Sequence, residues 1–212
     1  MYTPKAFQEN RRPVLFELIE KYPLATLVYR TDDMLAANHA PLLFFCNKDK
    51  SEVLRGHVAR ANPLWKDVSG GVSAVAVFNG PDAYVSPSFY PHKQDTGEVV
   101  PTWNFAVVHA HGHLRSIDDA EWLRSFVTEL TDRKETTLKY PWAVSDAPDR
   151  YIDQMLGAIV GIELKIKRLE GKFKLSQNRS PADQEGVISG LRASGRYRDT
   201  EVATLMEERI DS

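Results

Sequence analysis

A single cysteine, Cys46, occurs among the 212 residues of this sequence. One cysteine excludes an internal disulfide, and a chain of this kind is expected in the reducing cytoplasm. Because Cys46 ends an apolar run that is typical of a strand, we predict that it packs in the core. No segment approaches the roughly 20 consecutive apolar residues of a membrane-spanning helix. Residues 1–5 lack the apolar core of a secretory signal, so no association with a membrane is expected.

An excess of one charge sign is also missing, since 27 basic and 29 acidic residues give a net charge of −2. This balance argues against a surface that binds nucleic acid everywhere, although it leaves a local basic patch open. Repeats and low-complexity segments are absent. Hydrophobic residues make up 42% of the chain, which is enough for a packed core. The length suits one compact domain, with or without a helical appendage.

The hydrophobic periodicity predicts many short strands and a few helices, which indicates a β-barrel with peripheral helices. We predict strands at 24–29, 35–45, 53–58, 72–79, 83–86, 103–115 and 158–166, with 171–176 as a loop or short strand. Helices are predicted at 10–21, from Pro63 to about 70, from Asp118 onward, at 147–156 and over 181–210 with a break near Gly195. Residues 87–101 form the longest irregular stretch, and loops of this length are usually functional or mobile.

The segment 56–65, GHVARANPLW, predicts an anion site where a strand passes into a helix. Asn62 stands at the expected N-cap and Pro63 at the first helical position. Backbone N–H groups at such a start, with the Arg60 guanidinium beside them, suit phosphate. The alternative is an ordinary capped helix with a surface arginine.

Two further segments carry polar groups inside strand-like sequence. In 36–41, AANHAP, small residues would let a flat ring approach the backbone, and Pro41 predicts an edge, a bulge or a strand start. The alternative there is a bulge with a core histidine. In 101–105, PTWNF, alternation places Trp103 on one strand face and Asn104 on the other. An indole there could wall a flavin-like ring, and the alternative is core aromatics with a surface amide.

The remaining polar segments are histidine-rich and lysine-rich. Strand alternation places His109, His111 and His113 on one face, about 7 Å apart by strand geometry, which suits a single metal ion poorly. We therefore predict no metal site and place His109 toward a cofactor or a dimer interface. The segment 172–179, KFKLSQNR, is either a solvated basic loop, or a second contribution to the same phosphorylated ligand or to the site of a neighbouring subunit. No nucleophile elbow, Walker loop or GxGxxG motif is present, and no catalytic residue is assigned.

Together these segments resemble the PaiB family of FMN-binding negative transcriptional regulators, which were first linked to protease synthesis and sporulation control. The resemblance covers nearly the whole chain. It is carried by residues 1–4 (MYTP), 37–39 (ANH), 56–65 (GHVARANPLW), 80–87 (GPDAYVSP), 100–104 (VPTWN) and 174–179 (KLSQNR).

The resemblance implies an α+β, mainly β fold: an FMN-binding split β-barrel with peripheral helices, related to pyridoxamine 5′-phosphate oxidase. It implies a split-barrel domain over 1–180, a helical C-terminal extension over 181–212, and a homodimer with FMN at the interface. Arg60, Asn62 and the Ala61 backbone would hold the FMN phosphate, with His57 nearby. Ala37, Asn38 and His39 would line the flavin ring. Trp103 and Asn104 would close the site. Lys174, Gln177 and Arg179 would make secondary contacts to the flavin.

Three functions remain open from the sequence, of which the weakest is a flavin- or haem-binding storage protein. The first is an FMN-binding regulator or sensor that acts through DNA or a protein partner. The second is an FMN-dependent oxidoreductase, of the flavin reductase or pyridoxamine-phosphate oxidase type, with an indirect regulatory effect. No helix-turn-helix is evident in the sequence, so a direct contact with DNA is the weaker expectation.

Overall fold

The computed structural model describes residues 1–31, 34–91, 93 and 97–210. The described strands are β1 Gln8–Glu9, β2 Leu24–Arg30, β3 Leu35–Pro41, β4 Leu43–Cys46, β5 Glu52–Ala59, β6 Val72–Val85, β7 Thr102–Ile117 and β8 Ile159–Lys174. The described α-helices are α1 Arg12–Lys21, α2 Leu64–Asp67, α3 Ala120–Glu135, α4 Asp149–Gly157, α5 Pro181–Ala193 and α6 Tyr197–Ile210. The fold is thus mainly β with helices, as predicted.

Hydrogen bonds place the strands in the order β3-β2-β6-β7-β8-β5-β4, with β1 paired to β8. The pairs β1–β8, β2–β3, β2–β6, β4–β5 and β5–β8 are antiparallel. In this order β3 has a single neighbouring strand, so of the edge, bulge or strand start predicted at Pro41 the structure shows the edge. None of the described helices combines the length and the apolar character needed to cross a membrane.

Two predicted strand breaks are wrong. The turn expected at Gly80 lies inside β6, and the break expected before Gly171 lies inside β8. A Cβ at Gly80 would lie 3.1 Å from the Ala106 carbonyl oxygen, and one at Gly171 would lie 2.8 Å from that of Glu9. These glycines permit a close approach of neighbouring backbone within a strand, and they do not end the strand.

Two further predictions need correction. The single strand expected over 35–45 is divided at Leu42, which is 1% exposed and donates its N–H to the Pro23 carbonyl at 2.9 Å. Cys46 is exposed at the end of β4, so its interpretation as a core residue is wrong. The irregular stretch 87–101 begins with a short 3₁₀ helix, Pro87–Phe89, and residues 92 and 94–96 lie outside the described part of the chain.

Chain contacts divide the protein into two compact units. The first unit comprises residues 1–18, 79–109 and 170–212. Its two C-terminal helices are separated by a turn in which Gly195 has a φ of 67°, which confirms the predicted break. Ring atoms of Phe89 lie against Gly190 of α5, where a Cβ would be 2.3 Å away. The absence of a side chain at Gly190 therefore leaves room on α5 for Phe89 and the segment that follows β6.

The second unit comprises residues 19–78 and 110–169. β2 and β3 form a regular ladder from Leu24↔Pro41 to Arg30↔Leu35. Helices α3 and α4 enclose a small core with the 3₁₀ helix Val144–Asp146, formed by the buried residues Leu123, Val144, Ile152 and Leu156. The predicted domain boundary at residue 180 stays a prediction.

Candidate functional site

In the second unit, α2 begins one residue later than predicted, with Pro63 at its N-cap, and Asn62 bonds the start of the helix from the preceding turn. Asn62 Oδ1 accepts a hydrogen bond from the Leu64 N–H at 3.0 Å, and the Asn62 N–H donates to the Ala59 carbonyl at 2.8 Å. These bonds fold the chain sharply between β5 and α2. Ala61, at the tip, is exposed. The turn therefore offers solvent-accessible backbone at the place where the sequence predicted an anion.

Asn62 also joins this turn to strand β3. Its Nδ2 donates to Asn38 Oδ1 at 2.9 Å, and Asn38 Nδ2 lies 3.4 Å from the Tyr29 hydroxyl. The Tyr29 hydroxyl in turn donates to Asp67 Oδ2 at 3.1 Å. Burial of Tyr29 and its bond to Asp67 raise the pKa of the phenol, so it stays protonated at neutral pH. Two predicted site residues, 24 positions apart, are thus fixed against each other.

The neighbours of Asn38 on β3 face the other way. Ala37 and His39 are exposed, whereas Asn38 is half-buried. Because the ladder with β2 is continuous, the alternative of a bulge is wrong, and the exposure of His39 excludes a core histidine. Ala37 and His39 together present a small side chain and an imidazole on one open face of an edge strand.

Arg60 is held by protein acceptors. Its guanidinium donates to both carboxylate oxygens of Asp118 at 2.9 and 2.6 Å, and to the carbonyls of Gly157 and Ile159 at 2.8 and 3.2 Å. Four of its five N–H groups are therefore used. The ion pair with Asp118 raises the pKa of Arg60 and lowers that of Asp118. An open cleft of about 470 Å³ beside this pair is also lined by Glu121 and Asp153, which disfavours an anion there.

His57 lies on β5 against helix α3. Its ring packs edge-on to Phe126 with the centroids 5.9 Å apart. Burial lowers the pKa of His57, because the charged imidazolium is poorly solvated there. His57 is therefore neutral at pH 7 and makes an aromatic contact in the structure.

In the first unit, the start of β7 separates an indole from an amide, as predicted. Trp103 is 52% exposed and meets Tyr84 edge-on at 6.1 Å between ring centroids. Asn104 is 0% exposed, and its Nδ2 donates to Ser176 Oγ at 2.9 Å and lies 3.4 Å from Met206 Sδ. The alternative of core aromatics with a surface amide is wrong at both positions. The partner Ser176 was not predicted.

The end of β8 brings Lys174 to the same strand start. Lys174 Nζ donates to Thr102 Oγ1 at 2.5 Å and to the Trp103 carbonyl at 2.6 Å. Burial, followed by the charges of Lys172 and Arg179, lowers the pKa of Lys174. Gln177 is occupied locally, since its Oε1 accepts from the Leu175 N–H at 2.7 Å. Arg179 stacks on the ring of Tyr90 at 5.0 Å.

The histidines of β7 alternate with buried residues, as predicted. In the second unit, His113 lies over Gly71, where a Cβ would meet its Nε2 at 2.1 Å. In the first unit, ligand atoms of His109 and Glu170 lie within 4.8 Å of each other. Glu170 also accepts the N-terminal ammonium of Met1 at 3.0 Å. The prediction that the protein has no metal site stays a prediction.

Comparison with known proteins agrees with this arrangement. The family profile described as "Putative FMN-binding domain" matches residues 1–168. The chain belongs to this FMN-binding family. Protease synthase and sporulation protein PAI 2 of Bacillus subtilis is 29% identical over 99% of this chain and 98% of its own, which confirms the PaiB resemblance. An uncharacterized protein of Emericella nidulans is 34% identical over 99% of this chain and 97% of its own.

Among solved structures, the FAD and heme binding protein of Mycobacterium smegmatis superposes with a TM-score of 0.57 at 18% identity. The match covers 86% of this chain and 80% of that one, and it confirms the split-barrel fold.

The cofactor of this family member is FMN. The Asn38–Asn62 amide pair of the second unit fits its chemistry, because paired amides can hydrogen-bond the edge of a flavin ring. When bound, FMN supplies hydride- and electron-transfer chemistry.

Proposed function

We propose that this protein is an FMN-binding regulatory protein of the PaiB type. The observation that carries the proposal is the bond between Asn38 and Asn62, since two motifs predicted separately from the sequence meet in one hydrogen-bonded pair. In the proposed site, the pair and the exposed side chains of Ala37 and His39 lie along the flavin. The regulatory role is supported by the full-length similarity to the PAI 2 protein.

Fluorescence titration of the apoprotein with FMN tests the flavin site. We expect Asn62→Ala and Asn38→Ala each to weaken FMN binding about tenfold, because each removes the part-buried hydrogen bond that positions the two amides of the proposed site. The matched control is Asn79→Ala, which removes an exposed amide on β6. Wild-type affinity in both variants would contradict the proposed site, and wild-type protein that does not bind FMN would contradict the proposal itself.

The proposed regulation does not use the C-terminal helices as a DNA-reading element. Helices α5 and α6 have the short glycine-containing turn of a helix pair, but their arginines are ion-paired with carboxylates. Arg192 pairs with Glu207 at 2.5 Å, Arg196 with Asp199 at 2.7 Å and Arg198 with Asp82 at 2.9 Å. Because phosphate contacts require cations that protein carboxylates do not already neutralise, these helices favour a protein partner over DNA.

Electrophoretic mobility assays with and without FMN distinguish these routes. We expect no sequence-selective DNA shift that depends on the arginines of α5 and α6, and selective binding lost in Arg192→Gln would contradict this reasoning. The homodimer with FMN at its interface belongs to the same proposal, and light scattering of the FMN-loaded protein at two concentrations tests it. The cytoplasmic location stays a prediction.

A second function, FMN-dependent oxidoreductase, is favoured by one observation. The rings of Trp103 and Tyr84 are exposed by 52% and 41% and meet edge-on, which leaves an aromatic surface on which a flat substrate could stack. Anaerobic addition of NADH or NADPH to the FMN-loaded protein tests this function. Rapid bleaching of the flavin that slows in Trp103→Ala would support it, and no bleaching on the time scale of minutes would exclude these donors.

A further inference from the structure

In the second unit, one chain of hydrogen bonds runs from the start of α2 through the Asn38–Asn62 pair and ends at the last residue of the same helix. Asn62 Oδ1 accepts the Leu64 N–H at 3.0 Å, and Asn62 Nδ2 donates to Asn38 Oδ1 at 2.9 Å. Asn38 Nδ2 donates to the Tyr29 hydroxyl at 3.4 Å, and that hydroxyl donates to Asp67 Oδ2 at 3.1 Å. The orientation of each amide therefore depends on partners in other segments of the chain.

The two ends of this chain determine the direction of every bond in it. A backbone N–H can only donate, so the atom of Asn62 that faces Leu64 is its oxygen. The Asn62 nitrogen then donates to the Asn38 oxygen, and the Asn38 nitrogen is left to donate to Tyr29. At the other end, the ionised Asp67 can only accept, so the Tyr29 proton points to it. Turning either amide over would set donor against donor and acceptor against acceptor.

Tyr29 is the buried member of this chain. It is 2% exposed on β2, in register with Ala36 of β3. Burial, followed by its bond to Asp67, raises the pKa of Tyr29, so the hydroxyl keeps the proton that it donates at neutral pH. Asn38 and Asn62 are half-buried, where water competes for amide groups. The buried phenol therefore supplies an orientation that the half-buried amides would not keep by themselves.

We propose that Tyr29 and Asp67 are positioning residues of the flavin site, and that they hold the two asparagines so that each presents an N–H to an acceptor atom of the flavin ring. An amide nitrogen carries two N–H groups, and the chain uses one from Asn38 and one from Asn62. The second N–H of each amide then has a fixed direction before the ligand arrives, which suits the carbonyl oxygens and ring nitrogens of a flavin edge. The inference rests on the proposed function, because it takes this pair as the flavin contact.

Titration of FMN and riboflavin against variants of the two positioning residues tests their role. We expect Tyr29→Phe and Asp67→Ala each to weaken binding of both flavins about fivefold, because the amides lose their fixed orientation. Asp67→Asn keeps an acceptor oxygen for the Tyr29 hydroxyl and should bind within about twofold of the wild type. Tyr151→Phe, which removes an exposed hydroxyl on α4, is the matched control, and circular dichroism confirms that each variant is folded.

A double-mutant cycle separates positioning from a general effect on the fold. In the Asn38→Ala background, Tyr29→Phe should weaken flavin binding no further, because the amide that the phenol orients is already gone. Equal weakening in both backgrounds would show that Tyr29 does not act through Asn38, and it would overturn the inference.

The substitution Asn62→Asp tests the donor role of the amides. It keeps an oxygen for the Leu64 N–H but has no N–H for the flavin. We expect it to weaken FMN and riboflavin binding alike, by about tenfold, and riboflavin has no phosphate for the new carboxylate to repel. Wild-type riboflavin affinity in Asn62→Asp or in Tyr29→Phe would overturn the inference alone. Wild-type protein that binds neither flavin would overturn the proposed function, and this inference with it.

Discussion

Glu9 offers the sharpest test of how the first unit is held together. This carboxylate on β1 is 5% exposed, accepts the Arg11 N–H at 2.7 Å and the Arg11 Nε at 3.2 Å, and is paired with Arg209 of α6. Burial alone would raise the pKa of Glu9, but hydrogen bonds from Arg11 and Arg209 lower it from 4.5 to about 2. The ion pair therefore fastens the C-terminal helix to the N-terminal strand.

The substitution Glu9→Gln should lower the free energy of unfolding by about 3 kcal/mol at pH 7, because each unit of pKa difference corresponds to about 1.4 kcal/mol. The sign follows from the depressed pKa of the folded state. The stabilisation is complete above pH 4.5 and is lost as the pH falls toward about 2. The difference between wild type and variant should therefore shrink over this range.

Urea denaturation followed by circular dichroism at a series of pH values measures this difference. Glu207→Gln is the control, because that carboxylate is 40% exposed in its pair with Arg192 and its removal should have little effect. The reasoning is refuted if Glu9→Gln unfolds at the wild-type urea concentration at pH 7. It is also refuted if the loss of stability is the same at pH 3 as at pH 7.

Three further predictions concern the second unit. Because burial lowers the pKa of His57 below 6.5, stability should fall as the pH drops below that value, and His57→Phe should reduce this slope in urea titrations. Gly112→Ala should lower the free energy of unfolding by about 1–3 kcal/mol, since its Cβ would lie 2.2 Å from the Lys165 carbonyl oxygen. The control Gly157→Ala places its Cβ within 4 Å of no atom, so in thermal melts it should be neutral or stabilising. Glu163→Gln should cost about 3 kcal/mol, because it leaves two arginines without their buried carboxylate, and an unchanged melting temperature would contradict that.

Local sequence signals predicted the local features well. The hydrogen bond of Asn62 to the start of α2, the edge position of Pro41, the break at Gly195 and the opposite faces of Trp103 and Asn104 all depend on a few neighbouring residues. The strand breaks at Gly80 and Gly171 were predicted wrongly, because a glycine that permits close backbone approach looks the same in sequence as one in a turn.

The sequence by itself determined the mainly β fold class through its periodicity, and the family and the cofactor class through the resemblance of its long motifs to the PaiB family. Only the tertiary structure decided which charged side chains are already paired within the protein and which are available to a ligand. Arg60 stands beside a helix start in the sequence, yet Asp118, 58 residues away, occupies it. Lys172, Lys174 and Arg179 resemble an ordinary solvated loop, yet they lie half-buried without carboxylate partners among the described residues. Ion pairing and burial depend on residues that are distant along the chain, so no local pattern can reveal them.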